Sequence, residues 1–96
     1  MYNYELTLIS EEVIYDEYGI PNEIEKRTNV LCKVKSVGRN EFYGAATSGL
    51  KPEVVFIIHG YEYNGEKKVE FENKKYRVIR TYSTDFEEVE LTCERD

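Results

Sequence analysis

The sequence has no tryptophan, a single histidine, two cysteines and two prolines among its 96 residues. Two widely spaced cysteines cannot form the disulfide framework of a small secreted domain, so we expect a protein of the reducing cytoplasm. The first residues lack a basic region followed by an apolar run, which argues against a signal peptide. No apolar stretch approaches the length of a membrane span, so we expect no membrane association.

Basic residues are also few compared with acidic ones. The chain has 13 Lys and Arg against 19 Asp and Glu, a net charge of −6 and a pI of about 4.9. Non-specific binding to nucleic acids depends on cations that neutralise phosphates, and anionic membranes attract the same cations. The overall composition therefore favours neither partner. With 41% hydrophobic residues, the chain has the composition of one folded domain over residues 1–96.

Apolar and polar residues alternate along most of the chain, which predicts β-strands. The segment 53–60 is apolar on both faces, which predicts a central strand or one that packs on a neighbouring subunit. Asn73 tolerates the left-handed conformation that a tight hairpin turn needs. The predicted fold is mainly β, a small barrel or sandwich of six to seven antiparallel strands. A closed barrel is favoured because it removes exposed strand edges. The predicted strands cover residues 2–9, 13–15, 24–37, 53–60, 69–71, 76–82 and 86–95, with Tyr76, Val78, Arg80 and Tyr82 on one face. Residues 12–26 are predicted to form a hairpin whose turn contains Gly19 and Pro21.

One stretch, "SVGRNEFYGAATSGLKPEVVF" at residues 36–56, interrupts this pattern. Phe42, Ala45, Ala46, Gly49 and Leu50 follow a spacing of three and four, which is one face of a helix. Asn40 suits the helix N-cap, and Gly49 suits a left-handed C-cap before Pro52. We predict a short helix or loop excursion near residues 40–50. From composition alone, a lid over one end of the barrel is favoured over a contact element.

No residue pattern predicts catalysis, and we expect a protein that is not an enzyme. His59 has no recognisable nucleophile or metal-ligand partner at the usual spacing, so an ordinary histidine at a strand end is favoured. Cys32 and Cys93 fall on the apolar faces of their strands, which predicts core packing. Glu88 and Glu90 alternate with core residues, as expected of a solvated strand face. We therefore predict no metal site and no cofactor.

A small barrel rich in tyrosine also suggests an alternative, the binding of single-stranded nucleic acid by base stacking. The basic residues that could help are interleaved with carboxylates, whereas a groove that follows a phosphate backbone should be positive. This alternative therefore ranks second.

Several segments together resemble the head–tail joining family of tailed phages and prophages, the head-closure or stopper proteins. The resemblance covers nearly the whole chain, and the order and spacing of its segments make it specific. It is carried by Arg39, Glu41, Phe42, Tyr43, Gly49, Lys51, Pro52 and Glu53, by "YEYNGE" at 61–66, by "KKYRVIRTY" at 74–82 and by "ELTC" at 90–93.

The resemblance implies a small β-barrel that assembles in the bacterial cytoplasm into the neck of the virion. Family members form a ring, typically of twelve copies, beneath the portal and adaptor proteins. The ring closes the DNA exit channel after packaging, offers a docking surface to tail proteins, and lets double-stranded DNA pass without specific binding. Since twelve acidic copies repel one another, we expect an isolated monomer that forms the ring on its platform.

The resemblance also changes the interpretation of the excursion. In the family this segment reaches towards the channel or towards neighbouring subunits, so a contact role is now favoured over a lid. Small residues permit close backbone approach, and aromatic residues supply contact area. Arg39 and Lys51, at the two ends of the segment, can contact acidic strand faces of the next copy. The predicted interface or channel residues are Arg39, Glu41, Phe42, Tyr43, Gly44, Ala45, Ala46, Leu50 and Lys51.

Overall fold

The computed structural model describes residues 2–38, 49–83 and 87–96, and six strands account for most of them. All neighbouring strands are antiparallel, and they close into a barrel in the order β1-β2-β3-β6-β5-β4, with β4 pairing back to β1. The predicted small β-barrel is therefore confirmed, whereas the predicted helix at residues 40–48 lies outside the described residues. The strands are β1 (Tyr4–Tyr15), β2 (Pro21–Lys35), β3 (Pro52–His59), β4 (Lys68–Phe71), β5 (Lys74–Ser83) and β6 (Glu88–Arg95).

The barrel interior is filled by one face of each strand. Phe56 lies at its centre, with its ring centroid 5.0 Å from Phe71 and 5.6 Å from Tyr76. Such tilted and edge-on arrangements suit the quadrupoles of aromatic rings. The alternation in the sequence predicts most of this core correctly. Its buried members are Leu6, Leu8, Val30, Cys32, Phe56, Ile58, Val69, Tyr76, Val89, Leu91 and Cys93.

Strand β3 has buried residues on both faces, as its nearly continuous apolar sequence predicts, although Ile57 is half-buried and Glu53 is exposed on the outward face. Phe56 and Ile58 point into the core and are 0% exposed, while Val55 on the opposite face is 1% exposed. The strand lies between β2 and β6 in the barrel wall. Burial on both sides explains why this segment lacks the polar positions seen in its neighbours.

The β4–β5 hairpin has a tight two-residue turn. Glu72 and Asn73 both have positive φ, at 50° and 65°. Two such residues in succession characterise the turn whose twist matches that of the flanking strands. The left-handed conformation predicted for Asn73 is therefore confirmed.

Two details of the predicted strands are wrong. The segments predicted as separate strands at residues 2–9 and 13–15 belong to one continuous strand, β1. In β5, the register shifts between Val78 and Arg80, so that Tyr82 lies opposite Glu90 and Thr81 opposite the buried Leu91. This bulge adds one residue to β5 and moves Arg80 and Tyr82 to the face opposite Tyr76.

Candidate interaction surface

The predicted contact segment is described only at its end. Arg39, Glu41, Phe42, Tyr43, Gly44, Ala45 and Ala46 lie outside the described residues, whereas Leu50 is half-buried and Lys51 is exposed. Gly49 has a φ of 81°, the left-handed conformation predicted for it. The backbone N–H of Lys51 donates a hydrogen bond of 3.0 Å to the Glu94 carboxylate on β6. The chain that leaves the predicted contact segment is thus fixed to the barrel wall.

Glu94 is the carboxylate that anchors this point. It is 6% exposed and also accepts a hydrogen bond from the Arg77 guanidinium on β5. The hydrogen bond from Arg77, followed by that from the Lys51 backbone, holds the pKa of Glu94 below its ordinary value. Charge-assisted hydrogen bonds of this kind favour the ionised carboxylate. Glu94 therefore joins β5, β6 and the start of β3 as an anion.

A second feature is a two-stranded ribbon that extends beyond the barrel. The hairpin predicted at residues 12–26 is confirmed by this pairing, whereas its extension beyond the barrel is not predicted from the sequence. Strands β1 and β2 pair along twelve residues, from Tyr4 with Cys32 to Tyr15 with Pro21. Strand β4 pairs with β1 at Thr7–Ile9, and β3 pairs with β2 at Lys33–Lys35. Among the described residues, the strand residues of 11–25 therefore pair with each other alone. We call residues 11–25 the acidic arm.

Every residue of the acidic arm is exposed, although many are apolar. The register places Val13 and Tyr15 on one face of the ribbon and Ile14 and Ile24 on the other, so both faces carry exposed apolar side chains. Exposed apolar surface in a soluble protein indicates a site of interaction. The most exposed of these apolar side chains is that of Tyr18, with an exposed fraction of 80%. Together these residues supply more than half of the large hydrophobic side chains exposed on the described chain. They are Val13, Ile14, Tyr15, Tyr18, Ile20 and Ile24.

The arm also carries the whole net charge of the chain. Residues 11–25 contain six Asp and Glu and no Lys or Arg; removing these six from the 19 acidic residues leaves 13, which equals the number of Lys and Arg elsewhere. At the base of the arm, Glu11 pairs with Lys68 at 3.4 Å and Glu25 with Arg27 at 3.1 Å. Among the described residues, no cation lies within ion-pair distance of Glu12, Glu17 or Glu23.

The tip of the arm is a well-formed turn. Asp16 accepts hydrogen bonds of 2.9 Å from the backbone N–H groups of Tyr18 and Ile20. The backbone of Asp16 also bonds to Gly19 and Ile20, and Gly19 adopts a φ of 77°. An aspartate that bonds to the backbone two residues ahead is a common turn device. It presents Tyr18 and Ile20 to solvent in a fixed geometry.

A third feature is a group of stacked rings beside the end of β3. His59 stacks on Tyr2 at 4.1 Å and on Tyr61 at 5.3 Å between centroids. The ammonium of Lys33 lies 4.8 Å from the centroid of the Tyr2 ring and donates a hydrogen bond of 2.8 Å to Glu88. Hydrogen bonds from Lys33 and then Tyr2 hold the pKa of Glu88 below its ordinary value.

The predicted solvated face of β6 is a row of ion pairs. Glu88 pairs with Lys33 at 2.8 Å, and Glu90 pairs with Lys35 at 3.5 Å, in both cases across β3. All four side chains keep part of their surface in solvent. Pairs of this kind contribute little to stability, and their carboxylates are engaged with cations rather than with each other.

The cysteines lie in the core as predicted. Both are free and 0% exposed, and β3 separates their strands in the barrel order. Burial raises the pKa of Cys32 to about 11 and that of Cys93 to about 12. Both thiols therefore stay protonated near neutral pH and are poor nucleophiles.

Two searches of the described residues return no candidates. Residues 2–38, 49–83 and 87–96 contain no group of three or more His, Cys, Asp or Glu side chains placed to hold a metal ion. The same residues contain no helix with the length and apolar character needed to cross a bilayer.

The acidic arm was missed because alternation alone cannot separate a barrel strand from a free ribbon. The available signal was that residues 11–25 contain six Asp and Glu but no Lys or Arg, and that apolar residues lie between them. Comparisons with known proteins add no assignment, because no family model matches the chain and no curated protein matches it significantly.

Proposed function

We propose that this chain is a structural subunit of the neck of a tailed phage or prophage, a head–tail connector of the head-completion or stopper type. Its copies form a ring beneath the portal and adaptor proteins, close the DNA exit channel after packaging, and provide the docking surface for tail proteins. The chain supplies no chemistry in this function. Its site of action is the virion neck, after assembly in the bacterial cytoplasm.

The observation that carries the proposal is the acidic arm. A closed barrel that projects a ribbon of exposed Val13, Tyr18 and Ile20 side chains has the form expected of a subunit that binds other polypeptides. The sequence resemblance over residues 39–53 supports the same class of function. Residues 39–51 then form a second contact or channel element, whose exit is fixed through Lys51 and Glu94.

The charge of the chain also supports a channel function. A net charge of −6 favours passage of DNA over retention of DNA, because firm retention requires many Lys and Arg contacts to phosphates. The same charge opposes crowding of free copies, so the ring forms on the portal and adaptor platform rather than in dilute solution.

Co-assembly with the portal and adaptor proteins of the same genome tests the proposal. Electron microscopy should show an additional ring below the adaptor when this chain is present and none when it is omitted. A chain with the segment 40–48 replaced by a short Gly-Ser linker should leave the added ring weakened or absent. An adaptor that forms its own ring on the portal but never binds this chain contradicts the proposal.

Light scattering on the isolated protein tests the oligomeric part of the proposal. Dilute protein at ordinary salt should scatter as a monomer of 11.3 kDa. A stable ring under these conditions contradicts assembly on a platform.

The stacked rings favour one second candidate, a module that binds single-stranded nucleic acid. Tyr61 is 80% exposed at the end of the stack with His59 and Tyr2, and such rings offer faces for bases. A mobility-shift titration across salt concentrations distinguishes the two functions. Micromolar, strongly salt-dependent binding that Tyr61→Ala abolishes supports the second function, and absence of binding supports the connector.

A further inference from the structure

We infer that the acidic arm of one copy binds the barrel of a second copy, in a groove beside the bulge of β5. This inference rests on the proposed function for ring closure, while the contact itself is argued from the described residues alone. A contact between two different surfaces of the same chain repeats from copy to copy, and closes into a ring when the rotation permits.

The groove combines half-buried apolar side chains with exposed basic ones. It lies between the loop before β4 and the bulge of β5, and its lining includes Tyr63, Val78 and Ile79, with Lys67 and Arg80 among its exposed residues. The arm tip has the complementary character, since Tyr18 and Ile20 are flanked by Asp16 and Glu17. Apolar contact at the centre and opposite charges around it are typical of specific interfaces.

Charge selects a second copy as the occupant. Residues 67–80 contain six Lys and Arg against two Glu, whereas the arm contains six acidic residues and no basic one. Within the chain, Lys68 already pairs with Glu11 and Arg77 with Glu94. The β4–β5 region keeps an excess of basic residues without these two, so its charge is opposite to that of the arm. An arm that binds another arm would instead oppose like charges, which is unfavourable.

Both surfaces are ordered before they meet. The groove is held by a hydrogen bond of 2.8 Å from Val78 N–H to the Lys67 carbonyl and by one of 2.7 Å from the Tyr63 hydroxyl to the Glu66 carbonyl. The tip is held by Asp16. Such preorganisation reduces the entropy lost on binding.

The arm also has the reach that a contact with a neighbour requires. Five residues from Glu11 to Tyr15 extend about 17 Å beyond the barrel at the rise of an antiparallel strand. The molecule measures 51 × 31 × 26 Å, so its long axis exceeds the next by a similar length. Because barrel strands are tilted, a ribbon that continues β1 and β2 leaves the barrel obliquely, towards its flank.

The tip offers only a few residues to the groove, so we expect a small contact area and a weak single contact. Interfaces well below the standard size are transient unless several act together. Dilute protein then stays monomeric, and copies bind through their arms when they are crowded or held side by side on a platform, where the effective concentration is high.

Zero-length carbodiimide cross-linking on a mixture of ¹⁵N-labelled and unlabelled protein tests the inference. At about 1 mM protein and low salt, where weak contacts are populated, mixed-isotope links should join Glu12, Glu17 or Glu23 to Lys67. The Lys33–Glu88 pair, 2.8 Å apart within one chain, serves as the internal control and should give links of uniform isotope. If the control link forms and mixed links from the arm to Lys67 are absent, the inference is overturned.

Charge exchange provides the second measurement. Glu17→Lys alone and Lys67→Glu alone should each weaken concentration-dependent self-association, by about three- to tenfold, because each change replaces an attraction by a repulsion. Mixing the two variants restores both attractive pairings and should restore association. Glu53→Lys, which makes the same charge change at an exposed position outside the arm, should leave association near the native level.

The ring experiment distinguishes this inference from the proposed function. Rings that form on the adaptor without arm-to-groove links overturn the inference and leave the proposed function standing. Arm-to-groove links in a protein that never joins the portal and adaptor support the inference and contradict the proposed function.

Discussion

Strands β1 and β2 run through both the barrel wall and the acidic arm, yet the two regions differ in what surrounds them. Leu6 and Leu8 in β1 are 0% exposed, whereas Val13 and Ile14 further along the same strand are 52% and 47% exposed. The difference comes from neighbours, because among the described residues the arm strands have only each other. Burial, and not strand propensity, supplies the folding free energy, so the arm is free to carry residues chosen for contact.

Substitution of Phe56 by Ala should give the largest effect and should separate wall from arm. The side chain is 0% exposed among Phe71 and Tyr76, so its removal leaves a cavity and should lower the free energy of unfolding by about 3–5 kcal/mol. Tyr18→Ala in the arm should change it by about 0.5 kcal/mol or less. Urea denaturation measures both.

A milder core variant keeps this comparison informative if Phe56→Ala does not fold. Ile58→Val removes one buried methylene and should cost about 0.5–1.5 kcal/mol. Equal losses for Ile58→Val and Tyr18→Ala would contradict the division between a stabilising wall and an exposed arm.

The carboxylate Glu94 should give the next largest effect, and one that depends on pH. Its folded-state pKa is lowered by Arg77 and the Lys51 backbone, so its contribution to stability is present above the ordinary carboxyl pKa. That contribution is lost as the pH falls through the lowered folded-state pKa. Glu94→Gln should therefore be less stable than the native protein at neutral pH and approach it in acid.

Urea midpoints measured from neutral to acid pH check this prediction. Glu12→Gln is the matched control, since it removes an exposed carboxylate of the arm and should leave the pH dependence nearly unchanged. Parallel pH curves for the native protein and Glu94→Gln would show that Glu94 does not anchor the wall.

How far the fold follows from the sequence differs between these same two regions. Period-two alternation predicts the interior positions of Leu8, Cys32 and Leu91, because a buried face imposes that pattern on the residues. It fails to predict that β1 continues beyond its pairing with β4, because the length of that pairing depends on where β4 begins and ends. It also fails at the β5 bulge, because the extra residue moves the following side chains to the opposite face of the strand, and the apolar–polar pattern does not reveal where a bulge occurs.

The candidate site was harder to predict than the fold. The excursion at residues 39–51 stood out through its small residues, whereas the arm resembled an ordinary hairpin because Val13, Ile14 and Ile24 look like core residues. Exposure of these side chains is a tertiary property. The charge balance of residues 11–25 is the one sequence feature that marks them, since a core ribbon does not carry six acidic residues and no basic one.

Shortening the arm should have a small effect on stability. Ser10 and Lys26 lie opposite each other, so Asn-Gly in place of residues 11–25 can close the hairpin with a two-residue turn. The exposed Glu11–Lys68 and Glu25–Arg27 pairs are lost, yet no core residue is removed. The free energy of unfolding should change by about 0.5 kcal/mol or less, as urea denaturation would measure, and a chain that no longer folds would contradict a separate arm.

The rate of thiol labelling should change least when the arm is shortened and more when the barrel wall is weakened. Cys32 and Cys93 are 0% exposed, and burial raises their pKa values to about 11 and 12, so a thiol reagent near neutral pH must wait for the barrel to open. The shortened-arm chain should react at nearly the native rate, because the arm makes no part of the cover over either sulfur. In a chain that folds with Ile58→Val, the rate should rise by about two- to tenfold, in proportion to the larger open population. Faster labelling on shortening the arm alone would show that the ribbon stabilises the wall, and the contrast between the two regions would fail.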